Sequence, residues 1–198
     1  MNYLKLIIIG LLALAVLGFS NNALAQKNKK ATQQTKVLSV SDEIQWISLS
    51  ELEQKLKKEP RMILFDFYTT WCGWCKVMDK KTYSNKQLAK YINKNYYAVK
   101  FNAESKEALE FRGKQFEFKP EYKAHTFAVE LMNGQMSYPS TVFVAPDFKM
   151  INPVAGYLRI DQMEGIVKYF IEAYPKNTDW NDFQKNFKAE WQQEATAE

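Results

Sequence analysis

Apolar and polar positions along this chain keep two different rhythms. Met62-Ile-Leu-Phe-Asp-Phe-Tyr68 is a nearly continuous apolar run, the pattern of a central strand covered on both faces. Tyr96 to Phe101 and Ser140 to Val144, the latter entered from Pro139, read as further strands. Met150 to Val154 follows the Ala145-Pro146-Asp147 turn as a hairpin neighbour, and Ile44 to Ile47 reads as a short strand. Helical spacing lies between them. Ser50 and Glu53 make a capping box, Leu52 and Leu56 mark the buried side, and Pro60 ends that helix. A second helix runs from about Cys72 to Lys80, and a third follows Asn85 with Leu88, Ala89 and Ile92 on one side. Asp161 to Tyr174 carries the stripe Met163, Ile166, Val167, Phe170 and Ile171. Ser105 to Gln115 and His125 to Met132 also read as helical, so residues 106–137 are expected to form a helical insertion. Trp180, Phe183, Phe187 and Trp191 recur at spacings of three and four. They predict an extra C-terminal helix packed on the domain, with a docking surface for a partner as the alternative. The order of elements is that of an α/β sheet flanked by helices.

The ends follow other rules. Lys5 is followed by an apolar stretch from Leu6 to Phe19, polar Ser20-Asn21-Asn22, and the small-residue site Ala23-Leu24-Ala25. That succession predicts a secretory signal peptide over residues 1–25. The apolar run is short of the about 20 residues a membrane span needs, which leaves an uncleaved N-terminal tether as the alternative. Residues 26–40 read as a flexible linker, residues 41–174 as one domain and residues 175–198 as its C-terminal extension. Aromatic residues make up 15% of the chain, enough for a substantial core, and the net charge of +5 comes from scattered lysines. No basic patch interleaved with aromatics appears, so nucleic acid is not an expected partner.

Cysteine usage narrows the chemistry. An exported protein often carries several structural disulfides, whereas this chain has two cysteines, Cys72 and Cys75. A bridge between them closes almost no loop and stabilises the fold little, so a purely structural disulfide is the weaker reading. A zinc site is short of ligands, since His125 is the only histidine. Residues i and i+3 at a helix start share one face. Cys72 meets the unpaired N–H groups and the positive end of the dipole, which favour its thiolate. Cys72 is therefore the expected nucleophile. Cys75, one turn in and expected to be less exposed, resolves the mixed disulfide.

The run Phe65-Asp-Phe-Tyr-Thr-Thr-Trp-Cys-Gly-Trp-Cys-Lys76 resembles the active-site segment of the thioredoxin superfamily, and above all its secreted members with Trp-Cys-Gly-Trp-Cys-Lys-x-Met. The likeness spans about Ile44 to Tyr174. It implies a thioredoxin-like fold with a central mixed sheet, and a redox disulfide between Cys72 and Cys75. Asp66 stands where the family has a buried aspartate, and Lys100 where it has the lysine partner. Tyr138-Pro139 matches the loop with a cis proline, and Gly156 the late glycine. Trp71, Gly73, Trp74, Tyr138 and Pro139 are the implied substrate contacts. Each carry-over has a physical reading. Burial raises the proton affinity of Asp66, making it a base for Cys75 through a water, with a structural Asp66–Lys100 pair as the alternative. A cis Pro139 frees the Tyr138 backbone to pair with an extended client, the alternative being an ordinary strand-start proline. His125, inside the insertion, is read as a surface or packing residue.

Trp74 replaces the proline of the commonest centre, and that leaves the direction of electron flow open. A periplasmic reductase of protein clients, without cofactor or metal and fed by a membrane electron donor, is the first expectation. A disulfide isomerase or oxidase is the second, and a thioredoxin-fold binding or chaperone module the third.

Overall fold

The computed structural model describes residues 41–192. The expected signal peptide, the linker as far as residue 40 and the last six residues lie outside them. A four-stranded mixed sheet forms the centre. Its strands are β1 (Met62–Tyr68), β2 (Tyr96–Asn102), β7 (Ser140–Val144) and β8 (Ile151–Ala155), in the order β2-β1-β7-β8. β1 runs parallel to β2 and antiparallel to β7, and β7 runs antiparallel to β8. The apolar run of β1 sits in the middle with five consecutive buried residues, as its sequence predicts.

Alternation along β1 sorts residues to two cores. Leu64 joins Met78, Leu88, Ile92, Phe143, Met163 and Val167 on one face. That face is covered by α2 (Gly73–Met78), α3 (Lys86–Asn95) and α5 (Ile160–Lys168). Ile63, Phe65 and Phe67 join Leu52, Phe111, Phe116, Phe127 and Val142 on the other. That side is covered by α1 (Leu49–Lys58), by α4 (Thr126–Leu131) and by the segment between β2 and α4.

Four expectations need correction. The stretch Ser105 to Gln115 is not helical. It forms a hairpin of β3 (Leu109–Phe111) and β4 (Lys114–Phe116), followed by β5 (Phe118–Lys119) paired with β6 (Ala124–His125). Arg112 and Gly113 form its two-residue loop, both at positive φ (53° and 73°). That is the primed turn whose twist suits adjoining antiparallel strands. The helix of the insertion is α4 alone, capped by His125.

The first helix is capped two residues earlier than expected. Ser48 and Glu51 form the capping box, because the Ile47 N–H is held by the Ala98 carbonyl at 2.9 Å and fixes the entry of the chain. The Ile44–Ile47 strand reduces to one bridge, Trp46 to Ala98.

The C-terminal helix α6 (Trp180–Asn186) ends before Phe187. Beyond it the backbone straightens to reach Glu164 of α5. The buried Glu164 carboxylate accepts the N–H groups of Glu190 and Trp191 at 2.9 and 2.8 Å and the Lys168 ammonium at 2.7 Å. The four aromatic residues do pack on the domain: Trp180 and Phe183 on Tyr169, Phe187 over Gly165, and Trp191 on Tyr91.

Candidate active site

β1 delivers the chain to a turn at Thr69, where the Cys72 N–H meets the Thr69 carbonyl at 3.2 Å, and α2 begins at once. Cys72 is its N-cap residue, and its Sγ accepts the Cys75 N–H at 3.0 Å. The two cysteines are joined as a disulfide with an S–S distance of 2.03 Å. Both are buried, each 4% exposed, so the expected difference in exposure is absent. One turn of helix presents both sulfurs to the same surface, and the bridge ties their accessibilities together.

Aromatic rings frame the disulfide. Trp71 and Trp74 are 66% and 62% exposed, far more than indole rings usually are. Trp71 meets Tyr138 edge to face at 6.0 Å and donates its indole N–H to Glu104 at 3.0 Å. Burial, with the nearby Glu104 charge, pushes the Tyr138 phenol up to about 12. Trp74 lies 5.5 Å from Tyr157. Between them is a groove of about 320 Å³ lined by Trp74, Tyr138, Pro139, Gly156 and Tyr157. The Tyr138–Pro139 bond is cis. Gly156, at φ 95°, a conformation that side chains disfavour, donates its N–H to the Pro139 carbonyl at 2.8 Å. Gly73 lies between Cys72 and Trp74, and apart from those two neighbours a Cβ there would meet nothing within 4 Å.

Beneath the disulfide helix the sheet carries charge. Asp66 and Lys100 are register partners on β1 and β2, and the ammonium lies 2.5 Å from Asp66 Oδ2. Asp66 is 2% exposed, and its Oδ1 and the Thr69 hydroxyl are the two buried side-chain oxygens without a hydrogen-bond partner among the described residues. Burial pushes the Asp66 carboxyl up to about 6, against the opposing pull of Lys100. Burial alone would lower Lys100, but Asp66 and Asp79 outweigh it and hold the ammonium above its ordinary value. Tyr83, from the π-helical turn Asp79–Tyr83 that continues α2, places its hydroxyl 3.1 Å from that of Thr141.

The structure thus gathers Cys72, Cys75, Trp71, Trp74, Tyr138 and Pro139 at one end of the sheet, with Asp66 and Lys100 paired in β1 and β2. Sequence reasoning missed Tyr157, Glu104, Asp79 and Tyr83. Only Asp79 and Tyr83 left a signal, falling four and eight residues after Cys75, near one face of the continuing helix. His125 is a packing residue. It is fully buried, its Nδ1 accepts the Phe127 N–H at 3.2 Å, and its Nε2 lies 3.0 Å from the Glu107 carbonyl. With Nδ1 accepting, the ring is neutral with the proton on Nε2, and burial lowers its basicity.

Comparison with known proteins accords with this geometry. Residues 22–196 match the family described as Thioredox_DsbH, protein of unknown function, DUF255. Among solved structures, a DsbH oxidoreductase superposes with a TM-score of 0.50 at 16% identity, over 72% of this chain and 93% of that one. That likeness shows the thioredoxin fold. A thioredoxin-fold protein from Helicobacter pylori gives a TM-score of 0.49 at 21% identity, over 63% of this chain and 78% of its own. Among curated proteins, uncharacterized protein B0495.5 of Caenorhabditis elegans is 26% identical over 132 residues. The match covers 66% of this chain, which spans 16% of that protein's length.

Proposed function

As this chain belongs to the Thioredox_DsbH family, a thioredoxin-fold family, we propose that it is a periplasmic thiol–disulfide oxidoreductase that reduces disulfides in protein clients. The observation that carries this reading is the Cys72–Cys75 pair at a helix start, with Cys72 Sγ accepting the Cys75 N–H. A thiolate formed there is stabilised by that N–H and by the helix dipole.

In the reduced protein the Cys72 thiolate attacks one sulfur of the client disulfide. The client S–S bond breaks, a mixed disulfide to Cys72 forms, and one client thiolate departs. Cys75 then loses its thiol proton to Asp66 through a water and attacks the Cys72 sulfur. The Cys72–Cys75 bond forms, the mixed disulfide breaks, and the second client thiolate departs. Two electrons have passed to the client. A membrane donor on the far side of the export step restores the dithiol. Asp66 suits the role of base because burial raises its proton affinity into the range where it can both take and return a proton. Trp71, Trp74, Tyr138, Pro139 and Tyr157 offer the client segment an apolar seat. Gly73, between Cys72 and Trp74, is a further contact for the client segment.

Cys75→Ser tests this directly. Expressed with its leader, that variant accumulates stable mixed disulfides on Cys72 in the periplasmic fraction, visible as bands that dithiothreitol removes. Absence of any such adduct overturns the reductase reading. Equilibration with glutathione fixes the direction: a potential near about −270 mV fits a reductase, and one near about −120 mV replaces it with an oxidase.

A further inference from the structure

Lys100 serves two carboxylates. Its ammonium lies 2.5 Å from Asp66 Oδ2 and 2.5 Å from Asp79 Oδ1. The rings of Tyr68, Trp46 and Tyr83 stand 5.0, 5.3 and 5.6 Å from it. Each ring adds attraction for the cation, so the ammonium is held at one point from several sides. The carboxylates are unequal: the Asp66 side chain is 2% exposed and that of Asp79 45%. Asp79 opens the π-helical turn and donates its backbone N–H to the Cys75 carbonyl. The same segment therefore fixes Asp79 and Cys75 relative to each other.

We propose that Asp79 is a positioning residue of the exchange site, which shares Lys100 with Asp66 and sets a second negative charge beside it, so that Asp66 holds more tightly the proton Cys75 sheds. The inference rests on the reading of Cys75 as resolving thiol and Asp66 as its base. A salt bridge to one partner would stabilise the Asp66 carboxylate strongly. Dividing the ammonium between two carboxylates weakens that effect, and the like charge of Asp79 opposes ionisation further. The other groups facing Asp66 do not replace this control. Tyr83, from the same turn as Asp79, has its phenol pushed far up by burial and stays neutral. β7 contributes Thr141, which does not titrate.

The sign of the effect separates this role from a structural one. If Asp79 merely anchored Lys100, its removal would release the ammonium to solvent and make Asp66 less acidic. If it shares Lys100, removal leaves the ammonium to Asp66 and makes Asp66 more acidic. Carbon-13 NMR titration of the Asp66 carboxyl in the full chain reads this without reference to activity. In Asp79→Asn the proton affinity of Asp66 falls about tenfold, a midpoint lower by about one pH unit, and Asp79→Glu restores it. The release of glutathione from a Cys72–glutathione adduct by Cys75 shifts its acid limb in the same direction. A midpoint unchanged or raised in Asp79→Asn overturns the proposal. If the native protein releases no glutathione at any pH, the exchange reading fails, while the titration still decides the role of Asp79.

Discussion

The two faces of the central sheet are built to different ends. On the face under α1 and α4, Phe127 is the hub: the rings of Phe65, Phe67, Phe101, Phe111 and Phe116 all lie within 6.1 Å of it. The polar group buried beside them, His125, is neutral and hydrogen-bonded on both ring nitrogens. On the face under α2, α3 and α5, the apolar packing is interrupted by Asp66 and Lys100. Buried charge is costly unless paired, and Asp66 keeps one oxygen without a partner. One face stabilises the fold; the other gives up some stability to hold chemistry under the disulfide.

Breaking the first face should be purely a matter of stability. Phe127→Ala removes a 2% exposed ring at the centre of five others. It is expected to destabilise the fold by about 3–5 kcal/mol, the range for truncating a buried aromatic. Urea unfolding measures this. The rate of disulfide exchange per folded molecule should stay as it was, since Phe127 packs on the face of β1 opposite to the one that carries Asp66. A large drop in that rate would show that the faces are coupled.

Substitution on the second face should act in the opposite sense. With its carboxyl raised from 3.8 to about 6, Asp66 binds a proton more tightly folded than unfolded. Between those values the unfolded state carries fewer protons, so stability falls as pH rises through that window, and the loss is complete above about pH 6. The penalty at neutral pH is on the order of 3 kcal/mol, because each pH unit across that window costs about 1.4 kcal/mol. Asp66→Asn should abolish that slope and raise stability at pH 7.5 by an amount of that order, measured by urea unfolding at a series of pH values. It should also slow the resolving step about 100-fold if the carboxylate is the base. A variant both less stable and equally fast would reduce Asp66 to a structural partner of Lys100.

The same contrast explains what the sequence could reveal. Strand β1, the face of α3 and the Cys72–Cys75 pair declare themselves because local pattern and burial agree there. Asp66 is visible for the opposite reason, as a charge inside an apolar run. Glu164 has the same property within the stripe of α5, yet helical spacing makes a charge between apolar positions look solvated. Its burial depends on the return of residues 187–192, which no local pattern announces. Tyr157 and Glu104 reach the site from segments remote in sequence. Asp79 looks like an ordinary exposed helix charge until the sheet supplies Lys100. Ser48 and Ser50 each stand three residues before a glutamate, and a tertiary contact, Ile47 to Ala98, decides between the two caps.

The insertion offers the smallest test, at the hairpin where the helical expectation failed. Leu109, Phe111 and Phe116 at short spacings fit a helix or a hairpin, and the turn decides. Arg112 occupies φ 53° there, a left-handed conformation that costs a side-chain-bearing residue about 1–2 kcal/mol. Asn tolerates it better, and Asn-Gly is the preferred pair for this primed turn. Arg112 also stacks its guanidinium 4.2 Å from the Phe148 ring, an exposed contact worth about 0.5–1 kcal/mol. Its backbone N–H, bonded to Glu53, is kept by any residue except proline. The two side-chain effects oppose each other, and the backbone one is the larger. Arg112→Asn should therefore stabilise the fold by about 0.5 kcal/mol, a small rise in the urea midpoint with an unchanged slope. Destabilisation would mean that the hairpin is held by what Arg112 covers more than by how the chain turns, and the aromatic face would then extend to Phe148.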